Sequence, residues 1–392
     1  MTKKFSTACV HHGEKKGDFN DSIVPPLFET VNFYFKDFRE AQDYFSGLKT
    51  DRYYYTRAVN PTTEILEKKM AAMEGTAGCK FFASGMGAVG AAVMGVARAG
   101  DHVVCVSSIY KNTYRVLTEV APDYGINTTF VSGKSVEEFE RAITPETRII
   151  YLESPSSAKY SLQDLQAVAE LAKTRGIITM IDNTYATPYN QNPRAFGIDL
   201  VIHSASKYLN GHGDVLVGAV CGDGDLISAI AEREHYLLGN ILGPFEAWLV
   251  LRGLRSFPVR MEHFNRVGLE IARFLEGHPG VARVYYPMLP SHPRHDLACR
   301  QMRGAGSLMT IELKAGPARV PEFMDSLRYF KIAASWGGYE SLVWYPMIGA
   351  KNVTREYMEL HDVNPSMVRL FVGMEDVEDI KEDLDRALKR CI

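Results

Sequence analysis

Between residues 81 and about 220 the chain alternates short apolar runs with amphipathic, helix-like stretches. Runs at 103–106, 149–152, 177–181 and 200–203 hold four or five mostly apolar residues, the length of strands buried on both faces. Between them, Ser135-Val136-Glu137-Glu138 and Ser161-Leu162-Gln163-Asp164 carry the Ser/Thr-x-x-Asp/Glu signal of a helix start. Strands alternating with helices predict an α/β fold with a mainly parallel sheet. Upstream, Asn60-Pro61 supplies an N-cap and a first-turn proline for a helix whose buried face is Ile65, Leu66, Met70 and Met73. The residues before it, rich in aromatics and charges without a period, read as an extended arm. Residues 244–277 read as long helix interrupted at Pro258. Beyond them, 306–313 and 367–372 read as strands and 376–391 as an amphipathic helix with a solvated charged face. The expected organisation is an arm over 1–59, an α/β domain over 60–256 and a smaller α+β domain over 257–392.

Polar residues cluster just past the apolar runs, at Glu153, Asp182 and 203–207. This is the carboxyl edge of the expected sheet, where α/β proteins bind ligands. Charge narrows the ligand class. With 44 Lys+Arg against 47 Asp+Glu over 392 residues, the chain has no electrostatic footprint for nucleic acid or an anionic membrane. Six dispersed cysteines without a C-x-x-C pair read as reduced thiols. The N-terminal residues lack an apolar leader, and no uncharged run reaches about 18 residues, so a cytoplasmic protein is expected. Neither His292-Pro293-Arg294-His295 nor Gly222-Asp223-Gly224-Asp225 has a full ligand set, so no metal is expected; the second reads as a turn.

Ser84-Gly85-Met86-Gly87-Ala88-Val89-Gly90 contains G-x-G-x-x-G after a short apolar run. A dinucleotide fingerprint also needs an acidic residue about 20 positions on, and Ile109-Tyr110-Lys111-Asn112 offers none. A nicotinamide-type oxidoreductase therefore stays a remote alternative, and what survives is a helix N-terminus able to take a phosphate. His203-Ser204-Ala205-Ser206-Lys207 follows a buried run, and Asp182 ends its neighbour. A strand-end Asp and Lys on adjacent strands can bracket a pyridine ring, the Asp at its protonated nitrogen and the Lys at its aldehyde. Tyr110, four residues past the run ending at Val106, can stack on the ring face.

Together, Tyr55-Thr56-Arg57 with Asn60-Pro61-Thr62, Ser84-Gly85-Met86, Ile181-Asp182-Asn183-Thr184 and the stretch from Ser204 to His212 resemble the fold-type I, pyridoxal 5'-phosphate (PLP)-dependent Cys/Met-metabolism (transsulfuration) enzymes, over nearly the whole chain. The resemblance implies roles. Lys207 matches the lysine that holds the cofactor aldehyde, Asp182 the partner of the pyridine nitrogen and Tyr110 the ring-stacking tyrosine. Gly85, Met86, Ser204 and Ser206 match the phosphate cup. Tyr55 and Arg57 match residues that reach a neighbouring subunit's phosphate, implying a homodimer or homotetramer with shared sites. Arg369 matches the clamp on the substrate carboxylate.

Within the family, Glu153-Ser154-Pro155-Ser156-Ser157 and the stretch from Ser335 to Leu342 resemble bacterial cystathionine β-lyase, with Ser157 where many relatives carry a cofactor-contacting Asn. Asn112 stands where methionine γ-lyases carry a Cys, which counts against that activity. The first expectation is therefore β-elimination of cystathionine to homocysteine, pyruvate and ammonia. In it, Tyr110 or Tyr55 takes the amine proton, Lys207 takes the Cα proton, and Ser335, Trp336 and Tyr339 shape the substrate pocket beside Arg369. The alternative is γ-chemistry: a cystathionine γ-lyase, a γ-synthase or an O-acylhomoserine sulfhydrylase.

Overall fold

The apolar runs form one seven-stranded sheet in a computed structural model that describes residues 4–14, 17–49, 51–349 and 354–391. Its strands are β1 (Gly78–Phe82), β2 (His102–Val106), β3 (Asn127–Val131), β4 (Thr147–Glu153), β5 (Ile178–Asp182), β6 (Leu200–His203) and β7 (Gly218–Gly222), in the order β1-β7-β6-β5-β4-β2-β3. Only β7 runs against its neighbours, pairing antiparallel with both β1 and β6. The other six strands therefore point the same way, and their carboxyl ends line one edge. Residues of β2, β4 and β6 are almost wholly buried, because helices cover both faces and leave no room for a polar alternation. Edge strand β3, Asn-Thr-Thr-Phe-Val, is half exposed and polar, which hid it from the apolar pattern.

A smaller sheet contains β8 (Val281–Tyr285), β9 (Leu308–Leu313), β10 (Lys331–Ile332), β11 (Leu342–Trp344) and β12 (Met367–Phe371), in the order β10-β11-β12-β9-β8. It is antiparallel except for the β10–β11 pair. The C-terminal helix Val377–Lys389 buries Ile380, Leu384, Ala387 and Leu388 and turns its charges outward.

Three local expectations change. Pro258 does not interrupt its helix, which runs unbroken over Pro244–Glu276. An interior proline costs about 3 kcal/mol; burial of Leu254, Phe257, Met261 and Phe264 around it exceeds that, at ~2 kcal/mol per large apolar side chain. The division expected at 256/257 falls inside this helix. Ser161 does not start a helix either. Asp164 does, accepting the Ala167 amide at 3.2 Å ahead of Leu165–Arg175, because residues 154–161 are tied into a loop where Ser156 N–H donates to the Ser161 carbonyl and Gln163 N–H to Ser154 Oγ. Finally, the N-terminal segment is not extended throughout: it forms helices Phe5–His11 and Phe38–Phe45, the latter capped by Asp37.

Asp223, expected in a turn, precedes helix Gly224–Ile230 and pairs with Arg194. No helix among the described residues is long and apolar enough to cross a membrane, and all six cysteines are free, only Cys299 being exposed.

Candidate active site

Each candidate side chain reaches the carboxyl edge because a strand ends just before it. Tyr110 follows β2, Glu153 ends β4 and leads to Ser157, Asp182 ends β5, and Ser204, Ser206 and Lys207 follow β6. From the other sheet, β12 contributes Arg369, between Trp344 of β11 and Thr310 of β9. Together with Gly85, Met86, Ser335 and Trp336 these residues line one cavity of about 560 Å³. Tyr55 and Arg57 do not line it. They lie in an aromatic cluster, with the Arg57 guanidinium 4.8 Å from the Tyr236 ring centroid and bonded to the Tyr236 carbonyl. Tyr339, expected beside Arg369, is exposed and outside the cavity lining.

The cavity floor is braced by short polar links. The Asp182 carboxylate accepts the Thr184 N–H at 2.9 Å, and Thr184 Oγ1 accepts the Ser204 N–H at 2.8 Å, so the acid and the serine turn move as a unit. Ser206 Oγ bridges the strands by accepting the Val217 N–H at 2.8 Å. On the far side of Lys207 the buried Arg260 guanidinium donates to the Tyr208 carbonyl at 2.7 Å and the Gly253 carbonyl at 2.9 Å, fastening the lysine turn to the long helix.

Lys207 Nζ lies 5.0 Å from the Trp336 ring centroid and 5.9 Å from that of Tyr110. Burial pushes its ammonium down to about 8, against the pull of Asp182 and with help from the Arg369 charge. Arg369 is also lowered by burial. Among the described residues it has no ion-pair partner; its Nη2 donates only to the Ser335 carbonyl at 3.4 Å, a carbonyl presented by a Ser335 backbone at φ 80°. An unneutralised guanidinium facing a cavity suits a carboxylate ligand.

At the opposite wall Ser84 caps helix Gly85–Val96 by accepting the Gly87 N–H at 2.9 Å. A side chain at Gly85 would place Cβ 2.7 Å from Ser204 Cβ and Oγ. Glycine there lets a helix N-terminus and a serine turn meet closely, and the main-chain donors gathered there fit a phosphate. By contrast, the remaining glycines do not build a dinucleotide site: Gly87 is packed by Asn240 and Gly90 by nothing within 4 Å.

The family described as Cys/Met metabolism PLP-dependent enzyme matches residues 6–389. The chain belongs to this family. Its cofactor is therefore pyridoxal 5'-phosphate, and the nicotinamide alternative falls. Residues of the cavity fit that group: a phosphate cradle at Gly85, a lysine with a depressed ammonium and an acid at the adjoining strand end. Among relatives, the chain is 38% identical to the L-methionine gamma-lyase of Porphyromonas gingivalis, covering 100% of this chain and 98% of that protein. It is 37% identical to the cystathionine gamma-lyase of Macaca fascicularis, covering 98% and 93%. Among solved structures, metB from Corynebacterium glutamicum superposes with a TM-score of 0.92 at 32% identity, over 100% of this chain and 99% of that one.

Two family-site features escaped the sequence reading. Asn112 Nδ2 donates to the Tyr110 hydroxyl at 3.1 Å, and Thr184 links Asp182 to Ser204; neither pairing is implied by spacing alone. Glu153 is marked in the sequence by its place at a strand end and by the stretch it shares with Ser157, but its partners needed the fold.

Proposed function

We propose that the chain is a carbon–sulfur lyase that breaks the Cγ–S bond of a sulfur amino acid, cystathionine first, giving cysteine, 2-oxobutyrate and ammonia with the uptake of one water. The observation that carries this reading is the full-length likeness to enzymes named methionine and cystathionine gamma-lyases. It supports the γ alternative over the β-elimination placed first from sequence. Asn112, where methionine γ-lyases carry a Cys, favours cystathionine over methionine.

Bound pyridoxal phosphate supplies an electron sink for charge developing on the substrate carbons. Lys207 would hold its aldehyde, Asp182 its ring nitrogen, Tyr110 its ring face, and Gly85, Met86, Ser204 and Ser206 its phosphate. Arg369 binds the substrate carboxylate and so fixes which face of Cα turns toward Lys207. Burial brings the Lys207 ammonium down to about 8, so its amine is freed more readily than that of an exposed lysine to take the Cα proton and pass protons at Cβ. The Tyr110 hydroxyl accepts from Asn112, which leaves its own proton for the departing thiol. Trp336 walls the lysine side and limits water there. Tyr55 and Arg57, remote from the cavity of their own chain, serve the phosphate of a partner copy in a homodimer or homotetramer.

Product analysis separates the two eliminations. With cystathionine, the γ reading expects 2-oxobutyrate and cysteine in equal amounts, measured by chromatography. Pyruvate with homocysteine would instead establish the β-lyase.

A further inference from the structure

Glu153 ends β4 in register with Asp182 at the end of β5, so two carboxyls meet the cavity side by side. Asp182 faces Lys207, whereas Glu153 forms no ion pair among the described residues. Both of its oxygens meet uncharged partners. Oε2 accepts the Tyr110 main-chain N–H at 2.8 Å, and Oε1 is in a short hydrogen bond with the Ser157 hydroxyl. One buried side chain thus spans two loops that come from different strands, and both loops line the cavity.

The protonation state decides what Ser157 can do. An ionised carboxylate only accepts, so it would consume the single hydroxyl proton of Ser157. A neutral acid donates to Ser157 Oγ and frees that proton for an acceptor in the cavity. We propose that Glu153 is a positioning residue for the cofactor, a neutral acid that holds the Tyr110 main chain through its carbonyl and orients Ser157 as a donor to the cofactor through its O–H. Burial, with the Asp182 charge beside it, raises its pKa to about 8. The other groups that face it are Lys207 from the turn after β6, Cys105 from β2 and Tyr151 from β4. Cys105 and Tyr151 are themselves pushed up by burial and stay neutral, so Lys207 is the only cation in this set. The proposal concerns the cofactor and holds whichever elimination follows.

The experiment titrates the visible absorption of the bound cofactor in Glu153→Gln, Glu153→Ala and Ser157→Ala holoenzymes and measures kcat and KM for each. Glutamine reproduces a neutral acid, one acceptor and one donor. Glu153→Gln should therefore keep the wild-type titration and hold kcat within about threefold, while Glu153→Ala and Ser157→Ala shift the titration and lower kcat about tenfold, the scale of one lost hydrogen bond. If Glu153→Ala does not fold, Glu153→Gln in the Ser157→Ala background decides: it should add nothing to Ser157→Ala alone. A wild-type titration in Ser157→Ala, or a Glu153→Gln as impaired as Glu153→Ala, would overturn the proposal. So would a Glu153→Ala that loses thermal stability but keeps the spectrum and kcat.

Discussion

Lys207→Ala is expected to remove the visible band of the bound cofactor and to lower turnover by about 10⁴-fold, the upper range for a positioned acid–base group. Lys111 also lines the cavity, but it stands at the start of helix Lys111–Arg115 and not in the turn after β6. The other ionisable groups that act on Lys207, Asp182, Glu153 and Arg369, cannot hold an aldehyde. The fold should survive, since the turn is held by its main chain through Arg260 rather than by the lysine side chain. The wild type should also show the lysine's depressed ammonium. Its neutral amine appears as pH rises through about 8, so the rate at which apoenzyme captures pyridoxal phosphate should climb to that point and then level. An ordinary lysine would go on climbing toward about 10.4. Stopped-flow absorbance across pH makes the distinction.

Arg369→Ala is expected to leave the cofactor band intact and to reduce kcat/KM on the order of 10²- to 10³-fold, the scale of leaving a desolvated carboxylate unpaired. The guanidinium has no acid of its own among the described residues, so its charge is available to the substrate. Arg369→Lys should recover only part of the loss, because a point charge cannot reproduce the planar fork. Steady-state kinetics beside the absorption spectrum check both parts. An unchanged KM in Arg369→Ala would place the carboxylate elsewhere.

The parallel sheet was legible because burial on both faces leaves an unbroken apolar run, as in β4. Where burial is one-sided the signal fails, as at β3, whose threonines face partly outward. Pro258 misled because propensity is local, while the packing that overrides it is not. The candidate site was legible wherever chemistry sits at a strand end, as with Asp182 and Lys207. Ser157 and Glu153 show the limit: their hydrogen bond depends on a loop path, and the pairing of Glu153 with Tyr110 joins residues 43 apart in the chain. Reaction type was the least legible. In the proposed chemistry, β- and γ-elimination draw on the same lysine and tyrosine and differ by one further proton transfer at Cβ, which no motif encodes.

The claim that this cavity is centred on Lys207 has one direct test. Borohydride reduction of the holoenzyme, followed by digestion and mass spectrometry, fixes the cofactor to whichever residue holds it. The expected result is a single pyridoxyl label on Lys207. A label on any other lysine, or none in a protein that has bound the cofactor, would contradict the account.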